Sequence, residues 1–223
     1  MFLQKRMAAS PEFARVAPFV IFVALTAGQG QLGEASRYWV YLLKTLAGVW
    51  LIWEMRSFVT EMRWAFSWEA VVVGVGVCAI WVGLNDFYPK MGKPGDPWNP
   101  HTQFGDGSAL AWLYVAVRIL GSTFVVPPLE ETFYRSFVYR YIIKFDFTSV
   151  SLGRFDGIAF VLTSAVFGLL HYEWLAGILC GMAYQGLTIY KGRLGDAMTA
   201  HAITNFLLGI WIVWKGGAAW LFW

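Results

Sequence analysis

Charge is what this sequence most conspicuously lacks. Lys, Arg, Asp and Glu together make 14% of its 223 residues, against about 25% in ordinary soluble domains. A water-facing surface cannot be built from so few, so the shortage points to lipid as the solvent. Cysteine is almost absent. Cys78 and Cys180 both sit inside apolar segments and have neither the spacing of a metal pair nor that of a disulfide framework, so both read as small buried apolar residues. The net charge of +3 is spread along the chain. With no basic stripe, nucleic acid is excluded as a partner. Internal repeats and low-complexity tails are also missing. What remains is 58% hydrophobic and 18% aromatic, and aromatic rings anchor membrane spans at the headgroup level. The length suits one integral membrane domain, 1–223.

Apolar runs of span length cover 16–27, 38–53, 68–84, 109–126, 157–170, 175–190 and 197–214. A further apolar helix, 129–143, follows the fourth run with only Pro127-Pro128 between them, which predicts a broken helix there. The expected fold is therefore all-α: a polytopic transmembrane bundle of about seven to eight helices, with the segment 109–214 as its core. The long polar connection 85–108, rich in Pro, Gly and Asp, reads as a loop or shallow re-entrant segment, and His101 within it as solvated. Lys5 and Arg6 ahead of the first run imitate a signal peptide. With so many further spans, an uncleaved first helix is expected.

Orientation follows the positive charges. If 109–143 makes one net crossing and the N-terminus is cytoplasmic, the cytoplasmic ends hold nine (Lys5, Arg6, Arg15, Arg56, Arg63, Lys144, Arg154, Lys191, Arg193). The opposite side holds four, namely Arg37, Lys90, Lys93 and Lys215. This bias favours seven net crossings, a multi-pass protein of the cell's inner (plasma) membrane.

Ionisable side chains inside such runs are costly and mark functional candidates. Three clusters stand out. In PPLEETFYR, Glu131 and Arg135 are one helical turn apart and can pair, while Glu130 points about 100° away. Acids after a helix-opening proline are ordinary helix-start chemistry, but two adjacent carboxylates at membrane depth are harder to explain that way. In FGLLHYEW, Phe167 and His171 share a helical face, and His171 alone would suit a helix end. In HAITN, His201 and Asn205 share a face and alone would suit an interhelical clamp. Together the three clusters supply what hydrolysis by water needs: a carboxylate and an imidazole to hold and deprotonate it, and donors for a developing oxyanion.

EETFYR, FGLLH and HAITN are similar, in residue type and order, to the EExxxR, FxxxH and HxxxN/B motifs of the CPBP family, also called Abi or CAAX-protease-like. The segment GLTIYKGRLGDAMTAHAITN also resembles that family's approach to its last motif. The resemblance spans 127–205. It implies an intramembrane endopeptidase acting on a prenylated or other C-terminal peptide, with membrane lipid and a peptide or lipidated protein as partners. Glu130 and His171 would activate water, and His201 and Asn205 would hold the oxyanion. Glu131 and Arg135 would shape the site electrostatically, with Glu131 orienting His171 and Phe167 packing beside it. Two His and a Glu also suggest a zinc site of the metalloprotease kind. HExxH is missing, however, and Asn205 suits an oxyanion better than zinc, so no cofactor and no metal are expected.

Two other classes compete. A non-catalytic scaffold or chaperone of the same fold would be free to lose Glu130 or His171. A transporter would show matched broken helices, and the sequence has one. A depth problem also arises. If every run crosses fully, His171 lies about 14 residues from the cytoplasmic end of its span and His201 about five or six, a mismatch of roughly 12 Å. Tilted or short helices, or a span that stops partway, must close it.

Overall fold

The computed structural model describes residues 2–92 and 95–223; Lys93, counted above among the positive charges, lies outside them. The chain folds as a helical bundle with no strand among the described residues. Its helices are α1 (Phe2–Ala9), α2 (Pro11–Thr26), α3 (Ser36–Met55), α4 (Trp68–Gly83), α5 (Pro100–Phe104), α6 (Ala109–Phe124), α7 (Val126–Glu131), α8 (Tyr139–Ile143), α9 (Gly157–Leu169), α10 (Trp174–Lys191) and α11 (Gly195–Lys215). Each expected run is helical, with ends a few residues from those expected. α1 was not anticipated, because Lys5 and Arg6 interrupt its apolar pattern.

Local chemistry starts and stops these helices. Ser10, Ser67, Ser108 and Asp156 each accept a hydrogen bond from the backbone three residues on, opening α2, α4, α6 and α9. Gly192, at φ 64°, ends α10 in the left-handed conformation that glycine adopts without penalty.

The expected break at Pro127-Pro128 is a bend in a continuous rod. α6 ends at Phe124, Val125 is the joint, and the two prolines are the second and third residues of α7, within the first turn, where a missing N–H costs no helical bond. Beyond Glu131 the helix widens into a π-helical stretch, Thr132–Val138, before α8. Such stretches are uncommon and recur at functional sites.

Among the described residues, two helices are long and apolar enough to cross a membrane: Ala109–Ile143, with a window of mean hydropathy 1.8, and Gly195–Lys215, with one of 1.4. α9 is equally apolar but has 13 residues. At 1.5 Å per residue it is about 20 Å long, short of a hydrocarbon core of about 30 Å. His171 lies two residues beyond its end, and the ring contacts of Phe167 with both His171 and His201 show that the two imidazoles come together all the same.

α11 is the central helix, packed on α4, α6, α7 and α10. Small residues let its neighbours come close. A Cβ on Gly74 of α4 would sit 2.6 Å from the Ala200 carbonyl oxygen. α9 and α10 cross backbone to backbone: a Cβ on Gly168 would lie 2.3 Å from Ile178 N, and one on Gly181 3.0 Å from Ser164 Cα. Ser164/Gly168 and Gly177/Gly181 are thus two facing pairs of small residues at four-residue spacing, the arrangement that brings membrane helices together.

The connection 85–108 holds a short 3₁₀ turn, Asn85–Phe87, and α5. His101 is not freely solvated. Its ring packs edge-on against Trp112 (centroids 5.0 Å) and Trp220 (6.0 Å), because α5 lies against α6. At the other end of the rod, the Arg15 and Arg140 guanidiniums both reach Glu61 Oε1, at 2.7 and 2.9 Å, and both donate to the Ser136 hydroxyl. Burial pushes the Glu61 carboxyl up, but Arg15 and Ser136 outweigh it and hold the group below the usual carboxylate range. This cluster ties α2, the 56–67 connection and the π-helical stretch together.

Candidate active site

The π-helical stretch and α7 carry the first cluster. Glu131 Oε2 lies 3.1 Å from Arg135 Nε, and both side chains are fully buried. Arg135 also donates to the Gly181 carbonyl at 3.3 Å, and its guanidinium carbon sits 4.4 Å from the centre of the Phe167 ring. The close crossing of α9 and α10 therefore supplies both a carbonyl and an aromatic face to one buried cation. Glu131 Oε1 faces the other way and lies 2.8 Å from His201 Nδ1. The His201 ring stacks on Tyr184 (centroids 5.0 Å, 24° between planes), and the Tyr184 hydroxyl donates to Thr204 at 2.7 Å.

This corrects one sequence expectation: Glu131 orients His201, not His171. His171 lies in the turn just past α9, where its Nδ1 is 2.7 Å from the Phe167 carbonyl oxygen. Its ring packs on Phe167 (4.8 Å) and edge-on against Trp81 (5.6 Å). The four-residue spacing of Phe167 and His171 thus makes a backbone contact as well as a ring contact. Asn205 Nδ2 donates to the Ser122 carbonyl at 2.8 Å, fastening α11 to α6.

Glu130, Phe167, His171, His201 and Asn205 line one cavity of about 200 Å³. Glu131 and Arg135 are not part of its lining; they stand behind it and reach it through His201. Glu130 is half-buried, and its Oε2 is buried without a hydrogen-bond partner among the described residues. The cavity also takes in Lys44, Trp81, Arg118, Tyr184 and Thr204, none of which the motifs indicate. For Lys44 and Arg118 the signal was present, because both lie inside apolar runs, where a charge is anomalous.

Elementary hydrogen-bond chemistry fixes the proton on each imidazole. A backbone carbonyl only accepts, so His171 donates from Nδ1, and in the neutral ring Nε2 keeps a lone pair. The Glu131 carboxylate, paired with Arg135, likewise accepts a hydrogen bond from Nδ1–H of His201. Neutral His201 therefore presents an acceptor at Nε2; only as an imidazolium does it present a donor. The Asn205 amide has a second N–H beyond the one given to Ser122. The cavity holds a carboxylate, a basic ring nitrogen, an amide donor and an imidazole backed by a carboxylate, all within an apolar bundle.

Residues 108–207, from α6 into α11, match the family described as Rce1-like, type II CAAX prenyl endopeptidase. Neither the curated proteins nor the solved structures gave a match.

Proposed function

We propose that this membrane protein of the CAAX-protease type, Rce1-like over residues 108–207, is an intramembrane endopeptidase. It cleaves a membrane-associated peptide, prenylated or otherwise presented by its C-terminus, using a water activated by Glu130 and His171. The observation that supports this most directly is the convergence of Glu130, His171, His201 and Asn205, from three separate segments, on one cavity.

In this scheme Glu130 and Nε2 of His171 accept hydrogen bonds from the water and align it. Glu130 takes one proton as the oxygen attacks the scissile carbonyl, and returns it to the amine nitrogen as the C–N bond breaks. Water is consumed and two termini are released. The oxyanion formed in between accepts from the second Asn205 N–H and from His201 as an imidazolium, a form that Glu131 stabilises through Nδ1. Arg135, 3.1 Å from Glu131 Oε2, holds the carboxylate in place for that task.

The scheme is metal-free. A zinc site needs at least three converging protein ligands, and no three His, Cys, Asp or Glu side chains come together to hold a metal among the described residues. The proposal extends to a multi-pass arrangement in the cell's inner membrane with a cytoplasmic N-terminus, supported by the bias of Lys and Arg along the sequence.

The test is purified protein in lipid, incubated with a library of prenylated and unprenylated C-terminal peptides, with and without a chelator. Cleavage that the chelator leaves unchanged is expected. Loss on chelation with recovery on adding zinc would overturn the metal-free scheme, and no cleavage of any peptide would overturn the endopeptidase. Asn205→Ala is expected to lower kcat by about 10²–10³, the effect of removing one oxyanion donor, with KM little changed.

A further inference from the structure

Two cations share the cavity with the acid and the imidazoles. Lys44 on α3 and Arg118 on α6 both line it, and neither has an ion-pair partner among the described residues. The Arg118 guanidinium carbon lies 4.4 Å from the centre of the Tyr41 ring, 5.0 Å from Trp98 and 6.0 Å from Trp223. This aromatic seat holds the cation by its faces and makes no use of its N–H groups, none of which donates to a protein acceptor among the described residues. Lys44 gives one N–H to Thr26 Oγ1 at 2.9 Å and rests over the Phe22 ring at 4.4 Å. Two of its three donors remain.

The charges of the site do not cancel. Glu131 and Arg135 neutralise each other. Glu130 sets one carboxylate against the two cations Lys44 and Arg118 in the lining of the same cavity. One positive charge is left over in an apolar cavity, where an uncompensated charge is costly. A ligand with one negative charge would complete it.

We propose that Lys44 and Arg118 form an anion subsite that binds the free C-terminal α-carboxylate of the substrate peptide. A planar guanidinium with unused N–H groups matches a carboxylate through two parallel hydrogen bonds, and Lys44 adds a point charge. The subsite deepens the endopeptidase reading and rests on it for its substrate. It makes Arg118 a specificity residue: peptides are chosen by possession of a charged end, within reach of the groups that activate water.

The experiment uses full-length protein in vesicles of zwitterionic phosphatidylcholine and one farnesylated peptide in two forms, free carboxylate and C-terminal amide. Equilibrium binding and cleavage are both read. The wild type is expected to bind the acid about tenfold or more tightly than the amide, as a charge-assisted hydrogen bond to a buried site allows. Arg118→Gln brings the ratio to about one through KM rather than kcat. Arg118→Lys, which keeps the charge without the fork, retains part of the preference, and Lys44→Met loses part of it.

Equal binding of acid and amide by the wild type, or no binding of either, overturns the subsite. So does an absent acid preference together with acid-peptide binding that falls when anionic phosphatidylglycerol is added, because the ligand is then a headgroup phosphate. The two proposals fail separately. Acid preference lost in Arg118→Gln with neither peptide cleaved keeps the subsite and removes the endopeptidase; equal cleavage and binding of both peptides does the reverse.

Discussion

Glu130→Gln is expected to slow peptide cleavage by roughly 10²–10⁴-fold, the usual contribution of a general base, and to leave the folded protein as stable as before or slightly more so. The two halves of this result come from the same observation. Glu130 makes no hydrogen bond or ion pair among the described residues, and its Oε2 is buried without a partner. A structural carboxylate at this depth would be tied down, as Glu131 is by Arg135 and His201. Glutamine keeps the volume and removes the charge, so no packing is lost, while the group proposed to accept the water's proton is gone. Cleavage is read by mass spectrometry of the product peptides. Stability is read by thermal unfolding followed through the fluorescence of the 13 tryptophans. A fall in both together would mean that Glu130 is part of the scaffold. His171→Ala is expected to behave likewise in rate, because the ring supplies the second acceptor for the same water.

Arg135→Ala has the opposite profile. Its guanidinium is fully buried, paired with Glu131, bonded to the Gly181 carbonyl and seated on Phe167. Removing it leaves a buried carboxylate with no countercharge, which typically costs about 3–5 kcal/mol. For a chain of this size that corresponds to a fall of roughly 6–20 °C in the unfolding midpoint. Cleavage falls too, since Glu131 loses the partner that holds it in place against His201. A second substitution separates the two effects. Arg135→Met combined with Glu131→Gln removes both charges and fills the volume, so stability should largely return while activity stays low. If activity returned with stability, the pair would be scaffold alone. If neither variant unfolded earlier, the burial of the ion pair would be of no consequence.

The candidate site was legible because its chemistry is out of place. Acids, imidazoles and an amide in apolar runs are conspicuous, and their four-residue spacings gave the faces they share. The spacing in HAITN and FGLLH located the residues but not their partners. Helical periodicity relates positions within one helix, and the bond from Glu131 to His201 joins residues 70 apart in sequence. For the same reason Glu131 was assigned to the wrong histidine. The end of α9 was legible to within a residue, but its crossing with α10 through Ser164, Gly168, Gly177 and Gly181 was not, because a pattern within one helix does not name the helix it packs on. The π-helical stretch leaves no trace in hydropathy, which does not distinguish one helical width from another. Lys44 and Arg118 were visible as charges in apolar runs and were passed over because no motif contains them. The helices themselves were read well, since hydrophobic runs bounded by Ser, Asp, Pro and Gly are what local chemistry turns into helices.

The claim beneath all of this is that separate segments act on one water in one cavity. A double-mutant cycle on kcat/KM with Glu130→Gln and His171→Ala tests it most directly, because groups that act as a unit lose their effects non-additively. The account predicts that the double variant is about as slow as the slower single variant. Two penalties that simply multiply would contradict it, because Glu130 and His171 would then be serving different steps at different places.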